Sequence, residues 1–180
     1  DKEKVYAVDI DGDRVKIYTD GLAAVMDFSK AKLFLADPSY KKVFLDSKKT
    51  YAELSDMGIA ADGVVFDVTL GAYLADSNMG SYDIEHLVSS FLNSIYEEGK
   101  TDRCQAVYEL YKAISVAVEE AGMADLLMKV ELPLAKTLSG MERRGFRIER
   151  EGLEKYGETV SIHKGDGNIT AKAFIQPALK

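Results

Sequence analysis

The sequence predicts an α/β fold in which a small mixed sheet is covered by helices. The first observation is Asp11-Gly12, which lies between two β-prone runs and is a strong hairpin signal. The second is a strand, a helix and a strand in succession, an order typical of a right-handed βαβ unit with parallel strands. The third is the helical pattern of most of the remaining chain. A sheet of this kind needs such helices to cover its apolar faces.

Apolar runs of four to seven residues predict the strands, which are residues 4–10, 14–19, 42–45 and 63–66. Between them, a helix over residues 27–36 has Asp27 or Ser29 as its N-cap and is ended by Asp37-Pro38. A second helix over residues 48–57 is closed by Gly58 at its C′ position.

Four more helices are predicted, over residues 68–75, 83–92, 102–121 and 123–140. In the third of these the apolar residues share one face, which indicates core packing; they are Val107, Leu110, Tyr111, Ile114 and Val118. Near the end of the chain, Gly165-Asp166-Gly167-Asn168 lies between two β-prone runs and predicts either a second hairpin or a loose end.

The composition narrows the class of protein. The chain has 180 residues, of which 47% are apolar, and this is enough for one ordinary core. A net charge of −7 argues against a surface that grips nucleic acid by itself. The single cysteine, Cys104, excludes an internal disulfide and indicates a reducing compartment. No apolar run is long enough to span a membrane and the N-terminus lacks a signal-peptide pattern, so we expect a soluble cytoplasmic protein.

The stretch ELPLAKTLSGMERRGFRIEREGL, residues 131–153, carries a specific pattern. Its helix has one apolar stripe, which we expect to comprise Leu132, Leu134, Leu138 and Met141. The pattern itself consists of Glu131, Pro133, Leu134, Leu138, Met141, Glu142, Gly145, Ile148 and Leu153. It resembles the segment through which bacterial family A DNA polymerases, the DNA polymerase I family, leave their 3′-5′ exonuclease-type domain. Residues 41–92 are similar to the second-motif region of that domain, so the resemblance spans roughly residues 5–156.

The resemblance implies an RNase H-like fold of the 3′-5′ exonuclease type. It divides the chain into an exonuclease-like domain over residues 1–145, the start of the connection to a polymerase thumb over residues 146–160, and an unassigned tail over residues 161–180. The implied partner is the polymerase domain of the same parent chain, with DNA contacted only through the parent enzyme. We expect a monomer without a membrane anchor, and the polymerase residues themselves are not in this chain.

Active members of the family hydrolyse the terminal phosphodiester with two metal ions held by carboxylates. The family supplies these as Asp-x-Glu on a first strand, an Asp in the second motif and an Asp four residues after a Tyr in the third. Asp9-x-Asp11 imitates the first motif. Residues 10–45, however, leave little room for the strands expected before the second motif, so we interpret Asp11-Gly12 as a turn and the true first strand as absent.

The other two motifs also depart from the family pattern. Asp46 stands where the family often has Asn, and Thr50 takes the position of the catalytic Asp of the second motif. None of the ten tyrosines has Asp four residues later; the nearest imitation is Tyr82 with His86, which we interpret as a residue on a helix surface. Glycine-rich nucleotide loops are missing, and His86 and His163 lack metal-binding spacing.

We therefore predict a structural, proofreading-deficient domain with no catalytic, cofactor-binding or metal-binding residue and no cofactor. One alternative is a working metal-dependent 3′-5′ exonuclease that uses Asp9, Asp11, Asp46 and Asp67. Another is a stand-alone module whose apolar face binds a protein. Acids at loop and N-cap positions are usually caps, and this is our interpretation of a conceivable cluster of Asp46, Asp67, Asp76 and Asp83.

Overall fold

A five-stranded mixed sheet forms the centre of the fold. The computed structural model describes residues 1–145, 147–159, 161–164 and 167–170. The strands are β1 (Val5–Asp11), β2 (Arg14–Thr19), β3 (Leu22–Asp27), β4 (Lys41–Phe44) and β5 (Val64–Asp67). Their order is β3-β2-β1-β4-β5, with antiparallel pairing among β1, β2 and β3 and parallel pairing of β1 with β4 and of β4 with β5. The predicted hairpin, βαβ unit and α/β class are confirmed.

The prediction that the first strand is absent is wrong. β1 occupies the middle of the sheet, between β2 and β4. Two tight turns make this possible, because Gly12, Asp20 and Gly21 adopt positive φ angles and let three antiparallel strands fit within residues 5–27. β3 was not predicted, because LAAVMD lacks the alternation of a half-buried strand; all its side chains except that of Met26 are exposed.

Eight α-helices and one short π-helical segment complete the described part of the chain. They are α1 (Phe28–Ala36), α2 (Ser47–Asp56), α3 (Val68–Ala75), α4 (Ile84–Leu92), α5 (Arg103–Glu120), α6 (Ala124–Leu126), the π segment (Leu127–Glu131), α7 (Leu132–Arg144) and α8 (Arg150–Thr159). An aspartate side chain accepts the N-terminal N–H of four of them, and these caps are Asp46, Asp67, Asp83 and Asp102. The interpretation of Asp46, Asp67 and Asp83 as caps is confirmed.

Helices cover both faces of the sheet. On one face α3, α4 and α5 pack over alternate strand residues such as Ala7 and Val43. On the other, α1 and α2 pack over the residues that follow them, Val8 and Phe44. The predicted core face of α5 is confirmed, since Val107, Leu110, Ile114 and Val118 are buried and Tyr111 packs against them. Cys104 is also buried.

The helix in the stretch over residues 131–153 departs from its predicted pattern. Instead of ending at Gly140, it continues to Arg144 and is followed by Gly145 at φ 60°. Leu132 is buried, but Leu134, Leu138 and Met141 are exposed. The predicted single stripe is therefore divided between two faces of α7. The three exposed residues face away from the core of this chain.

The chain divides into two compact units, Asp1–Arg143 and Arg144–Lys180. In the second unit, β6 (Ser161–Lys164) and β7 (Gly167–Thr170) pair in antiparallel fashion, which confirms the predicted second hairpin. Residues 165 and 166, which the sequence pattern assigned to the turn, and residues 171–180 of the tail lie outside the described residues. Among the described helices, none combines the length and apolar character that crossing a bilayer requires.

Candidate functional site

Acidic residues lie at the carboxyl ends of three neighbouring parallel strands. Asp9 and Asp11 are at the end of β1, Asp46 comes shortly after β4, and Asp67 ends β5. Since β1, β4 and β5 run in one direction, these ends meet at one edge of the sheet. This is the edge at which open α/β sheets usually place their functional residues.

A cavity of about 660 Å³ opens at this edge, beside the ends of β1 and β4. Asp9, Asp11 and Asp46 all line it. Three of the four acids that the alternative of a working exonuclease would use therefore line one cavity. The rest of its charged and threonine lining consists of three further acids, four basic side chains and two threonines, which are Glu53, Glu98, Asp102, Lys16, Lys49, Lys100, Arg103, Thr50 and Thr101.

The carboxylate of Asp9 is paired with a guanidinium group. Arg103 Nε lies 3.1 Å from Asp9 Oδ1, and the Asp9 side chain is only 17% exposed. Burial raises the pKa of Asp9, and the positive charge of Arg103 opposes that shift. Arg103 is the first residue of α5, so the start of this helix supplies the cation that pairs with Asp9.

The carboxylate of Asp11 is paired with an ammonium group from the neighbouring strand. Lys16 Nζ lies 3.0 Å from Asp11 Oδ2. A hydrogen bond from Lys16 lowers the pKa of Asp11, and the same bond raises the pKa of Lys16. Both acids of β1 are thus neutralised by cations of the chain itself.

The second-motif region uses its polar groups to build a helix. Asp46 Oδ1 accepts a hydrogen bond from the Lys49 backbone N–H at 2.9 Å, which caps α2. Thr50 Oγ1 donates to the Asp46 carbonyl oxygen at 2.7 Å. A threonine hydroxyl carries no charge and is a weak ligand for hard divalent cations. Thr50 therefore supplies nothing that replaces a carboxylate.

Asp67 belongs to a different environment. Its Oδ1 accepts from the Leu70 N–H at 2.8 Å and its Oδ2 from the Ser47 N–H at 2.6 Å, so one carboxylate joins the starts of α2 and α3. Burial raises its pKa to about 6. It borders a second cavity, of about 280 Å³, and does not line the larger one. The four acids of the alternative therefore do not converge on one site.

The remaining predicted positions also have structural roles. Asp83 accepts the His86 N–H at 2.8 Å as the cap of α4, and His86 is exposed on that helix. Tyr82 donates its hydroxyl to the Asp76 carbonyl oxygen at 2.8 Å. His163 lies in β6, and nothing is described of its side chain.

The residues present do not fit a pair of divalent cations. Within the described ranges, no group of three or more His, Cys, Asp or Glu side chains is arranged to hold a metal ion. The paired acids of β1 already have cationic partners, and the neutral Thr50 adds no ligand charge. Sequence reasoning missed the two cations. Strand alternation could have indicated Lys16, which lies directly across from Asp9 in the β1–β2 pair, but no local pattern indicates Arg103.

Comparison with known sequences gives consistent matches. Residues 2–108 match the family model of the DNA polymerase I, ribonuclease H-like domain. DNA polymerase I of Geobacillus stearothermophilus is 29% identical over an alignment of 149 residues, and the match covers 71% of this chain and 17% of that protein. DNA polymerase I of Mycobacterium tuberculosis is 26% identical over an alignment of 138 residues, and the match covers 64% of this chain and 15% of that protein. The chain thus spans about one sixth of these relatives.

Comparison with solved structures agrees with the sequence matches. The POL domain of Pol1 from M. smegmatis, in complex with DNA primer-template and dNTP, superposes with a TM-score of 0.74 at 26% identity and covers 86% of this chain and 30% of that chain. Brucella melitensis NrnC superposes with a TM-score of 0.63, covering 78% of this chain and 85% of that chain. At 16% identity the second likeness bears on the fold alone.

Proposed function

Because the chain belongs to the DNA polymerase I ribonuclease H-like domain family, we propose that it is a structural domain of a bacterial DNA polymerase I and has no 3′-5′ exonuclease activity. The observation that carries the proposal is the ion pair between Arg103 and Asp9. A basic side chain takes up the first acid of β1 where two-metal hydrolysis needs converging carboxylates. Thr50, in the position of the second-motif Asp, supports the same conclusion.

The alternative of a working exonuclease is favoured by one observation, the position of Asp9 and Asp11 at the end of the first strand. A 3′-shortening assay decides between the two. A 5′-labelled single-stranded oligonucleotide is incubated with the chain in Mn²⁺, and in parallel with Asp9→Ala. We expect no shortening above the level of the variant.

The control variant is Asp13→Ala, which removes an acid of the β1–β2 turn that does not line the cavity. Shortening by the parent chain and by Asp13→Ala, with its loss in Asp9→Ala, would establish the exonuclease and remove the proposed inactivity. Equal weak shortening in all three preparations identifies a copurifying nuclease, since its rate does not depend on Asp9.

The partner we propose is the polymerase domain of the same parent chain. α7 carries three exposed apolar side chains with the spacing of one helix face, and these are Leu134 (42% exposed), Leu138 (38%) and Met141 (62%). Leu134 and Leu138 also line the 280 Å³ cavity, with Leu70 on its other side. Contiguous exposed apolar side chains of this kind are typical of a surface that packs against another domain.

The way α7 is held supports this role. Its opposite face is buried through Leu132, Ala135 and Ser139. Ion pairs fix its C-terminal half to α2, with Lys48 Nζ 3.0 Å from Glu142 Oε1 and Arg143 Nη2 2.7 Å from Asp56 Oδ1. The exposed face is therefore presented by a helix that the core already positions. In this role the domain braces a polymerase that acts in cytoplasmic DNA replication and repair, and the parent enzyme contacts the DNA.

A charge placed on this face tests the partner. In the full-length parent enzyme, we expect Leu138→Glu to lower the unfolding temperature, because it puts a carboxylate into an apolar contact. In the 180-residue chain alone the same change leaves the temperature nearly unchanged, since Leu138 is partly exposed there. The matched control is Leu33→Glu on α1, a position that is 82% exposed.

Equal effects of Leu138→Glu in the parent enzyme and in the isolated chain would contradict the proposed partner. Size-exclusion chromatography with light scattering addresses the remaining alternative, a stand-alone interaction module. We expect the isolated chain to be a monomer that does not self-associate through α7.

A further inference from the structure

We infer that Arg103 and Lys16 are built-in counter-ions, whose fixed positive charges hold the carboxylates of Asp9 and Asp11 where the chemistry of the family would require divalent cations. The inference rests on the proposed inactivity and goes further. It assigns Arg103, whose partner Asp9 is mostly buried, the larger part in keeping the cavity edge folded without metal, since Lys16 and Asp11 form a more exposed pair. It also identifies Arg103 as a residue at which a reversal of charge should favour the binding of a divalent cation beside Asp9 and Asp11.

The carboxylates of Asp9 and Asp11 lie close enough in the strand to need positive charge beside them. Asp9 is mostly buried, and an ionised carboxylate that is taken out of water without a partner is strongly destabilising. Asp11 lies two residues further along the same strand, on the same side of it. Two such acids repel each other unless positive charge lies between or beside them. Arg103 and Lys16 supply one positive charge to each acid.

Arg103 occupies a position on its helix where a basic residue is unfavourable. It is the first residue of α5, where the backbone N–H groups give the helix end a partial positive charge. A basic residue is disfavoured there and an acidic one favoured. The neighbouring cap, Asp102, already accepts the Gln105 N–H at 2.8 Å. An arginine in this place runs against the local preference, and its contact with Asp9 explains why it is tolerated.

The first turn of α5 is fixed against the sheet. Cys104, the next residue, donates its thiol to the Ala7 carbonyl oxygen at 3.1 Å, within the central strand β1. The backbone at position 103 is therefore held close to the central strand that carries Asp9. An acid at this position would add a carboxylate beside Asp9 and Asp11 at a cavity whose lining also includes Asp46, Glu53, Glu98 and Asp102. Carboxylate oxygens are preferred ligands of hard divalent cations, so replacing the arginine by an acid favours cation binding there.

The experiment reverses this one charge. Unfolding temperatures are measured for the 180-residue chain, for Arg103→Glu and for Lys112→Glu, each with EDTA and with millimolar MnCl₂. Lys112 is the matched control, because it lies on α5, is 59% exposed and makes the same change of net charge. Binding of Mn²⁺ is followed separately by paramagnetic broadening of backbone amide signals from residues 9–11.

We expect the parent chain to unfold at the same temperature in EDTA and in MnCl₂, without broadening at residues 9–11. In EDTA, Arg103→Glu should unfold several degrees below Lys112→Glu. In MnCl₂ it should recover most of that difference and show broadening at Asp9 and Asp11, whereas Lys112→Glu should not respond. If Arg103→Glu does not fold in either buffer, Arg103→Gln replaces it, and its unfolding temperature is compared in EDTA with that of Lys112→Gln.

The inference is overturned if Arg103→Glu or Arg103→Gln is as stable as its Lys112 counterpart. Failure of Mn²⁺ to stabilise a folded Arg103→Glu, or binding of Mn²⁺ at residues 9–11 of the parent chain, overturns it as well. Failure of the proposed function is a separate result. It is 3′ shortening by the parent chain that depends on Asp9, and this can be observed whatever the stability of the Arg103 variants.

Discussion

The side chain of Lys42 is fully buried and serves as a three-way clamp. Its Nζ donates to the carbonyl oxygens of Asp37 at 2.7 Å, Tyr40 at 3.0 Å and Asp62 at 2.7 Å. The Asp37 and Tyr40 carbonyls belong to the loop before β4 and the Asp62 carbonyl to the loop before β5, so one ammonium group joins both loops. Burial lowers the pKa of Lys42 to about 8. A lysine with no carboxylate partner in its clamp is thus a structural residue of the βαβ unit.

Replacing this clamp tests its contribution. We expect Lys42→Met to lower the free energy of unfolding by about 3 kcal/mol, because three part-buried carbonyls lose a charged donor and each such hydrogen bond is worth ~1 kcal/mol or more. The neighbouring Lys41→Met is the control; its side chain is 46% exposed and its ammonium lies 3.9 Å from Glu3. Urea unfolding measures both. A loss below ~1 kcal/mol for Lys42→Met would show that the carbonyls find other partners.

Two aspartate caps with the same local role have pKa values that are shifted in opposite directions. Asp67 and Asp83 each accept the backbone N–H three residues ahead. Burial raises the pKa of Asp67 to about 6, whereas a hydrogen bond from Ser81 lowers that of the exposed Asp83. Carbon-detected NMR titration of the side-chain carboxyl groups checks this. We expect a midpoint near 6 for Asp67 and a midpoint below the ordinary range for Asp83.

The shift of Asp67 also has a consequence for stability. Its folded pKa lies above the ordinary value of 3.8, so between roughly pH 4 and pH 6 the folded chain binds the proton more tightly than the unfolded chain. The stabilising contribution of Asp67 protonation is therefore complete below this window and is lost as the pH rises through it. A midpoint near 4 for Asp67 would remove this contribution.

At the scale of elements, α3 owes its position to a glycine. A Cβ at Gly71 would come within 2.6 Å of Phe66 Cζ and 3.1 Å of Ile114 Cγ2, so α3 lies unusually close to the β5 ring and to α5. Gly140 in α7 has nothing within 4 Å of the same position. The two helical glycines thus differ only in what surrounds them.

The same substitution should therefore have opposite effects at the two sites. We expect Gly71→Ala to destabilise the chain by about 1–3 kcal/mol through overpacking. Gly140→Ala should stabilise it by about 0.5–1 kcal/mol, because alanine loses less conformational entropy in a helix. Thermal unfolding of both variants is the measurement. A neutral or stabilising Gly71→Ala would show that α3 can move away from Phe66 at little cost.

The elements that sequence reasoning placed well are those whose ends have local causes. Asp caps and Gly58 set the bounds of α2 and α3 to within one residue of the prediction. The π segment (Leu127–Glu131) was not predicted, since its cause is less direct. Pro133 cannot donate to the Lys129 carbonyl and its ring crowds that carbonyl, and the Leu132 N–H bonds instead to the Leu127 carbonyl. A one-residue widening of this kind has no periodic signal.

At the scale of the whole molecule, the predicted membership in the DNA polymerase I family is confirmed by the family model. The prediction came from the pattern over residues 131–153 and from the likeness of residues 41–92. The family model matches residues 2–108, so it contains the second of these segments, while the pattern over residues 131–153 lies outside the match. The contact between Asp9 and Arg103 could not be predicted. These residues meet because α5 packs across β1, and a long-range contact of two single residues leaves no motif in the sequence.

The two cores bear on how much of the chain is needed to fold. Both clusters draw their buried residues from Ala7 to Leu132, on the two faces of one sheet. Within the described residues, no buried member of either cluster lies beyond the first compact unit, Asp1–Arg143. The free energy that opposes unfolding should therefore come almost entirely from that unit, because burial of apolar surface is its largest favourable part.

Truncation after Gly145 tests this distribution. We expect residues 1–145 to unfold cooperatively, with a midpoint within about 3 °C of the 180-residue chain, since a change of ~1 kcal/mol shifts the midpoint of a domain of this size by only a few degrees. Differential scanning calorimetry gives both midpoints. A second truncation after Gly122 is the control; it removes Leu127 and Leu132 from the larger core and should unfold far lower. A large loss already at Gly145 would mean that residues 146–180 stabilise the first unit through contacts that its own core does not supply.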